Sequence, residues 1–172
     1  MLGLQEGKVV LVEHDPTWKR DYQEDEALIR NALGRLALDV QHCGSTAVPG
    51  IRAKPILDIL VGVERLADGL ACILPLAGIG YAYLGDIPIP DEHFFGRGAP
   101  RTHHLHLVEH RGPAWLHKIA FRDRLLADRA LACAYESTKL VLARRFRDDR
   151  AAYTRAKADF ITAVTADMPA PS

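Results

Sequence analysis

Two stretches of the 172-residue sequence combine residue types suited to phosphate chemistry. The first is Gly44-Ser45-Thr46, with Asp58 following Ser45 after twelve intervening residues, inside the apolar run PILDILVGV at 55–63. A Gly-Ser turn exposes backbone N–H groups and a hydroxyl that can cradle a phosphate. A carboxylate projecting from the next strand can hold a divalent cation against that phosphate. Left unpaired in such a run, Asp58 would cost several kcal/mol. The alternative reading therefore makes it a cap or a salt-bridge partner of Arg52 or Lys54. The second stretch is Arg101-Thr-His-His-Leu-His106. His104 and His106 alternate on a strand and so share one face. Beside Asp58 they would form a set of two histidines and one carboxylate, whose nitrogen ligands favour zinc, manganese, iron or nickel over magnesium. The competing reading gives both histidines a hydrogen-bonding or phosphate-contacting role in a polar pocket. His103 faces the other way and reads as structural or exposed.

Lys54, Arg52, Arg97 and Arg101 are the nearby anion-contact candidates, arginine being suited to bidentate contact with phosphate oxygens. Each is equally readable as an ordinary surface charge. Phe94-Phe95-Gly96-Arg97 either stacks a base above the site or plugs it with apolar surface. Cys43 has no activating base except His42, which points to the opposite strand face, so a nucleophilic cysteine is not expected. Ser45 lacks the G-x-S-x-G context of a serine hydrolase.

These residues need a scaffold. Asp15-Pro16 reads as a helix start, with Trp18, Tyr22, Ile29, Leu33 and Leu36 at helical spacing over about 16–36. Short strands are expected at 38–42 and 81–84. A central strand covered on both faces is expected at 55–63, and a further strand at 103–109. A helix through 66–77 should kink or end at Pro75. Residues 85–101 read as a long loop, with three prolines and three glycines. From Pro113 the chain reads as helices near 113–127, 129–147 and 149–166, with Asp128 and Asp148 as caps. Strands before 110 and helices after it predict an α+β protein. The expected form is a mixed sheet of about four to five strands with flanking helices and a helical segment over the cleft. It reads as one domain over 1–172, strand-rich to about 110 and helical from 111 to about 168.

The charge balance excludes some roles. Twenty-two basic and 22 acidic side chains give a formal net charge of zero, which argues against bulk nucleic-acid binding. Residues 1–110 nevertheless hold 10 basic and 15 acidic groups, and residues 111–172 hold 12 and 7. Two solvated helical faces of opposite sign account for this asymmetry. The sharper alternative is a basic C-terminal wall facing an anionic substrate. Three cysteines, none in a CxxC pair, make neither a disulfide framework nor a zinc knuckle. No apolar stretch is long enough to span a membrane, and residues 1–20 lack signal-peptide order, so a cytoplasmic protein is expected.

Residues 42–50 (HCGSTAVPG), 54–61 (KPILDILV), 101–106 (RTHHLH) and 121–125 (FRDRL) resemble the GrpB family, as do Tyr135, Lys139, Tyr153 and Lys157. The resemblance runs from about residue 9 to 163. It implies the nucleotidyltransferase fold of the polymerase-beta-like superfamily, and a relationship to a domain fused to some dephospho-CoA kinases. Gly44, Ser45 and Asp58 match the superfamily pattern, which makes Asp58 and Ser45 the catalytic candidates. Gly44, Ser45, Thr46, Lys54, Arg97, Arg101, Arg122 and Lys139 are then the phosphate-binding candidates. Asp58, His104 and His106 are the candidate ligands of a divalent metal (Mg, Mn or Zn). The superfamily usually carries a second acid two residues after the first, and here that position is Leu60. Three functions follow as expectations. One is nucleotidyl transfer from a nucleoside triphosphate to an unknown acceptor. The second is an accessory domain that binds a nucleotide or another phosphorylated small molecule without turnover. The third is a single-metal hydrolase.

Overall fold

The computed structural model describes residues 1–85 and 89–166. Helix α1 (Thr17–Leu33) begins where the Asp15 carboxylate accepts the Thr17 N–H at 3.0 Å. It ends at Gly34, whose φ of 53° only glycine adopts cheaply, in a 3-10 turn reaching Leu36. Its buried stripe holds Trp18, Ile29, Leu33 and one acid, Asp25.

Five strands form one sheet: β1 (Asp39–Cys43), β2 (Leu57–Val63), β3 (Ala82–Tyr83), β4 (Glu92–Arg97) and β5 (His103–Glu109). Their order is β1-β2-β5-β4-β3. The central β2–β5 pair is parallel and the other pairs are antiparallel. The protein is thus α+β with an open mixed sheet, as the sequence predicts.

Alternation along β2 and β5 sets the two faces. Ile59, Val61, Leu105 and Leu107 meet α1 and helix α2 (Ile73–Gly78) in the main core. Each fully buried aliphatic side chain there contributes about 1.5–3 kcal/mol. Leu60 and Val108 point the other way, against Trp115 of helix α3 (Pro113–Ala127). Helices α4 (Arg129–Arg145) and α5 (Arg150–Thr165) follow, and Phe121, Tyr135 and Val164 join all three helices to Val48 and Ile51 of the loop after β1. Among the described residues no helix is long and apolar enough to cross a membrane.

The structure corrects three expectations. The segment read as a long loop contains β4. Its prolines and glycines hide the period, but antiparallel pairing with β5 buries Phe95 completely. Residues 86–88 of that segment lie outside the described residues. Pro75 neither kinks nor ends α2: it is the third residue, in the first turn, where its missing N–H has no helical acceptor to lose. Asp149 rather than Asp148 caps α5, accepting the Ala152 N–H at 2.9 Å, while Asp148 pairs with Lys8.

Candidate functional site

Parallel pairing of β2 with β5 puts Asp58 directly opposite His104, and Leu60 opposite His106. Both histidines share the Asp58 face, as the alternation requires. His104 Nδ1 lies 3.0 Å from Asp58 Oδ1, and His106 Nε2 lies 3.9 Å from the same oxygen. The three residues read from the sequence as one constellation are therefore together.

Gly44 explains the other half of the motif. Its φ is +68°, and a Cβ there would lie 2.3 Å from Asp58 Oδ2. Only a bare backbone lets the Gly-Ser turn pass so close to the carboxylate. Ser45 and Thr46 continue into a short 3-10 turn, and Thr46 Oγ1 bonds His42 Nε2 at 2.9 Å. Cys43 is buried and its thiol is pushed up by burial, so it is no nucleophile.

The protonation pattern follows from the partners. Arg150 donates to His104 Nε2 at 2.7 Å. A guanidinium only donates, so Nε2 accepts and Nδ1 carries the proton given to Asp58. His104 is then neutral. Burial takes its pKa down to about 4, with Asp58 opposing and Arg150 reinforcing the shift. Burial also works against the Asp58 charge, but the hydrogen bonds and charges of His104 and His106 outweigh it and hold the carboxyl well below its ordinary value. His106 Nδ1 bonds Glu92 Oε1 at 2.8 Å, and Lys118 Nζ lies 2.9 Å from Glu92 Oε2. Burial lowers the His106 pKa and the Lys118 charge adds to that, yet Glu92 and Asp58 raise it above the ordinary value overall.

Basic residues gather beside Asp58 from three other parts of the chain. Lys54 precedes β2, Lys139 comes from α4, and Arg150 and Lys157 come from α5. Lys54 and Lys157 both lie over the Tyr153 ring, 5.6 and 5.0 Å from its centroid. Lys139 lies over Tyr135 at 4.6 Å and donates to the Arg52 carbonyl. Burial first, and then the charges of Lys157 and Arg150, take Lys54 down to about 7. Lys139 falls to about 7 through burial and Lys157. Arg101 lies over Gly96, where a Cβ would fall 2.0 Å from its Nη1, and Gly96 stands opposite His104. Asp58 acts on Lys54, Lys139 and Arg150, with Glu136 also beside Lys139 and Glu6 beside Arg150, so the five basic groups outnumber the carboxylates around them. The Asp58 side chain keeps 29% of its surface open, enough to be reached from solvent.

Two phosphate-contact candidates are placed elsewhere. Arg97 alternates to the α1 face, where Nη1 meets Asp25 Oδ1 at 2.5 Å. Arg122 latches α3 to β1, donating to Gln41 Oε1 and the His42 carbonyl at 2.9 and 3.0 Å. Neither Asp58 nor the histidines offer converging free lone pairs. Among the described residues no three His, Cys, Asp or Glu side chains are arranged to hold a metal. His104 has both nitrogens engaged, and His106 faces carboxylates on both sides. A divalent cation would enter a field in which five basic groups outnumber Asp58, Glu136 and Glu6, so this donor set does not fit the two-histidine, one-carboxylate metal centre.

The family model for GrpB protein matches residues 8–167. The chain belongs to the GrpB family. It is 38% identical over 174 residues to the glutamate-rich protein GrpB of Alkalihalophilus pseudofirmus, covering 98% of this chain and all of that one. The crystal structure of the conserved protein GrpB from Enterococcus faecalis superposes with a TM-score of 0.83 at 30% identity, over 92% of this chain and 96% of that chain. A dephospho-CoA kinase of Mycolicibacterium paratuberculosis is 30% identical over 87% of this chain, which spans 43% of that kinase. The family resemblance carried by the motifs at 42–50, 54–61 and 101–106 is confirmed.

Sequence reading missed Arg150, Glu92 and Lys118. Glu92 lay in the supposed loop. Arg150 carried one signal, its place at the first helical position after the true cap Asp149.

Proposed function

We propose that the chain binds a phosphorylated small molecule on the Asp58 face, its phosphates lying among Lys54, Arg101, Lys139, Arg150 and Lys157. The observation that carries this is the charge imbalance: five basic groups converge from four segments, and Lys54 and Lys157 have aromatic rings but no carboxylate partner among the described residues. Bringing like charges together in a partly desolvated site is costly. A ligand that supplies the missing negative charge offsets that cost. The Gly44–Ser45 turn adds backbone N–H groups to the same edge. Nucleoside triphosphates are the leading candidates, from the resemblance to nucleotidyltransferases. Dephospho-CoA and CoA come next, from the relative named as dephospho-CoA kinase.

The test is a thermal-shift panel of ATP, GTP, CTP, UTP, CoA and dephospho-CoA. A true ligand at a hundredfold excess over its dissociation constant stabilises the protein by about 2.7 kcal/mol. Lys54→Met and Arg150→Gln should each cut the shift by half or more. No shift with any phosphorylated compound defeats the proposal.

A second reading, group transfer, rests on the Asp58–His104 hydrogen bond. A carboxylate that fixes the histidine tautomer and leaves Nε2 as the proton acceptor is the arrangement of a general base. Transfer requires Arg150 to leave Nε2 for the ligand. With water as the acceptor, His104 Nε2 takes the water's proton as that water attacks phosphorus and the leaving phosphate departs; phosphorus NMR of the bound nucleotide tests it, hydrolysis abolished in His104→Gln supporting a base at His104 and an unchanged nucleotide leaving binding alone.

A further inference from the structure

We infer that this site takes a polyphosphate group bare, with the protein's own cations in the place a divalent metal holds in metal-dependent phosphoryl chemistry. The inference rests on the phosphate-binding reading above and adds the ligand's class and its metal state. A metal in such chemistry bridges phosphate oxygens and neutralises their charge, and it needs carboxylates to hold it. Here the carboxylate is already spent. Asp58 Oδ1 accepts from His104 at 3.0 Å, and Oδ2 packs against the Gly44 backbone, where a Cβ would lie 2.3 Å away. The position two residues on, which could face the same metal, is Leu60, fully buried against Trp115. Where a cation would approach His104, the Arg150 guanidinium already stands, 2.7 Å from Nε2.

The neutralising charge is built in instead. Arg101, Arg150 and Lys157 stand at the site, and Lys54 and Lys139, whose pKa values burial lowers to about 7, take up protons when an anion enters. Five basic groups, set against the carboxylates beside them, are more than the two charges of a monophosphate call for and suit the three to four of a di- or triphosphate. Tyr153 and Tyr135 hold three ammonium groups by cation–π contact. For Lys54 and Lys157 this keeps the ammonium in place with no carboxylate paired to it among the described residues. A magnesium-chelated polyphosphate carries less charge and brings a cation into the cluster, so it binds more weakly than the bare one.

Calorimetric titration of the whole protein with inorganic tripolyphosphate, ATP and inorganic phosphate, each in EDTA and in magnesium, decides this. The expected result is that tripolyphosphate and ATP bind in EDTA at least as tightly as in magnesium, with inorganic phosphate at least about tenfold weaker, a gap of about 1.4 kcal/mol. Tripolyphosphate matching ATP means that the phosphate chain alone is recognised, whereas ATP binding more tightly adds a base contact. Asp58→Asn sharpens the test. It keeps the His104 hydrogen bond and removes the repelling charge, so bare polyphosphate binds as tightly or more tightly, whereas a metal ligand's loss abolishes binding. Binding that appears only with magnesium, or that vanishes in Asp58→Asn, overturns this inference and leaves the phosphate-binding reading standing. No binding of any probe in either condition overturns both.

Discussion

His103 and His104 are adjacent on β5, each lies between a carboxylate and a guanidinium, and burial takes both to a pKa of about 4. Yet they belong to opposite kinds of environment. His103 faces α1, where Asp25 is paired with Arg97 and accepts from the Tyr81 hydroxyl, and Thr102 bonds the imidazole at 2.8 Å. One buried carboxylate meets one guanidinium, and the set packs on the α1 face of the sheet. His104 faces α5, where five basic groups outnumber Asp58, Glu136 and Glu6. A buried polar group or a displaced pKa is therefore a poor guide to function in this molecule, because the structural network shows both. What separates the two is the balance of charge: a closed set on one side, and on the other a set that a ligand must complete.

The comparison breaks if the two faces respond alike to substitution. Asp25→Ala should have the largest effect, since removing one member of a buried ion pair costs about 3–5 kcal/mol. At roughly 2–4 °C per kcal/mol for a chain of this size, the melting temperature falls steeply in a calorimetric scan. If Asp25→Ala melts like the parent protein but no longer binds polyphosphate, the assignment of the faces is reversed. Gly44→Ala comes next. The new methyl group collides with Asp58 in a left-handed backbone, and overpacking alone costs about 1–3 kcal/mol, so stability and ligand binding should both fall.

Lys54→Met inverts the pattern. Removing an uncompensated cation should leave the melting temperature equal or higher while weakening polyphosphate binding by roughly 10–100-fold, the loss of a charge-assisted contact worth about 1.5–3 kcal/mol. A melting temperature that drops as far as that of Asp25→Ala would count against the site. The smallest effect is one of pH. Lys54 and Lys139 have folded-state pKa values of about 7, below the ordinary lysine value. Between the two values the unfolded chain holds protons that the folded protein lacks, so stability rises with pH there. The melting temperature should climb a few degrees from pH 7 to about 8.5, the ordinary range of the thiols. Saturating tripolyphosphate should flatten that slope by keeping both lysines protonated.

Much of this was legible in the sequence. The span of β5 and of α3 follows from alternation and from Pro113, and the meeting of Asp58, His104 and His106 follows from placing two strands side by side. Arg97 stands on the α1 face for a reason the sequence hides. With β4 read as a loop its alternation cannot be counted, and the pairing of Arg97 with His103, one position on from Gly96 with His104, decides which face the guanidinium reaches. Asp25 carried a readable signal, since the spacing 18, 22, 25, 29, 33 puts an acid on the buried stripe of α1. The surplus of cations was visible only as the basic bias after residue 110. Which of those charges reach Asp58 depends on how α4 and α5 pack, and that is set by contacts far apart in the chain, such as Lys139 with Arg52.

Arg150, Tyr153 and Lys157 fall on successive turns of α5, so the face this helix turns toward Asp58 is the one carrying the mutual repulsion. Without ligand, that repulsion should make α5 a seam along which the folded protein opens more easily than along its sheet. The α5 backbone amides should exchange with solvent through a partial opening well below the free energy that frees the β2–β5 amides. A bound polyphosphate stitches that seam, and the protection gained along α5 would record ligand arrival over a helix whose far end lies well away from the phosphates.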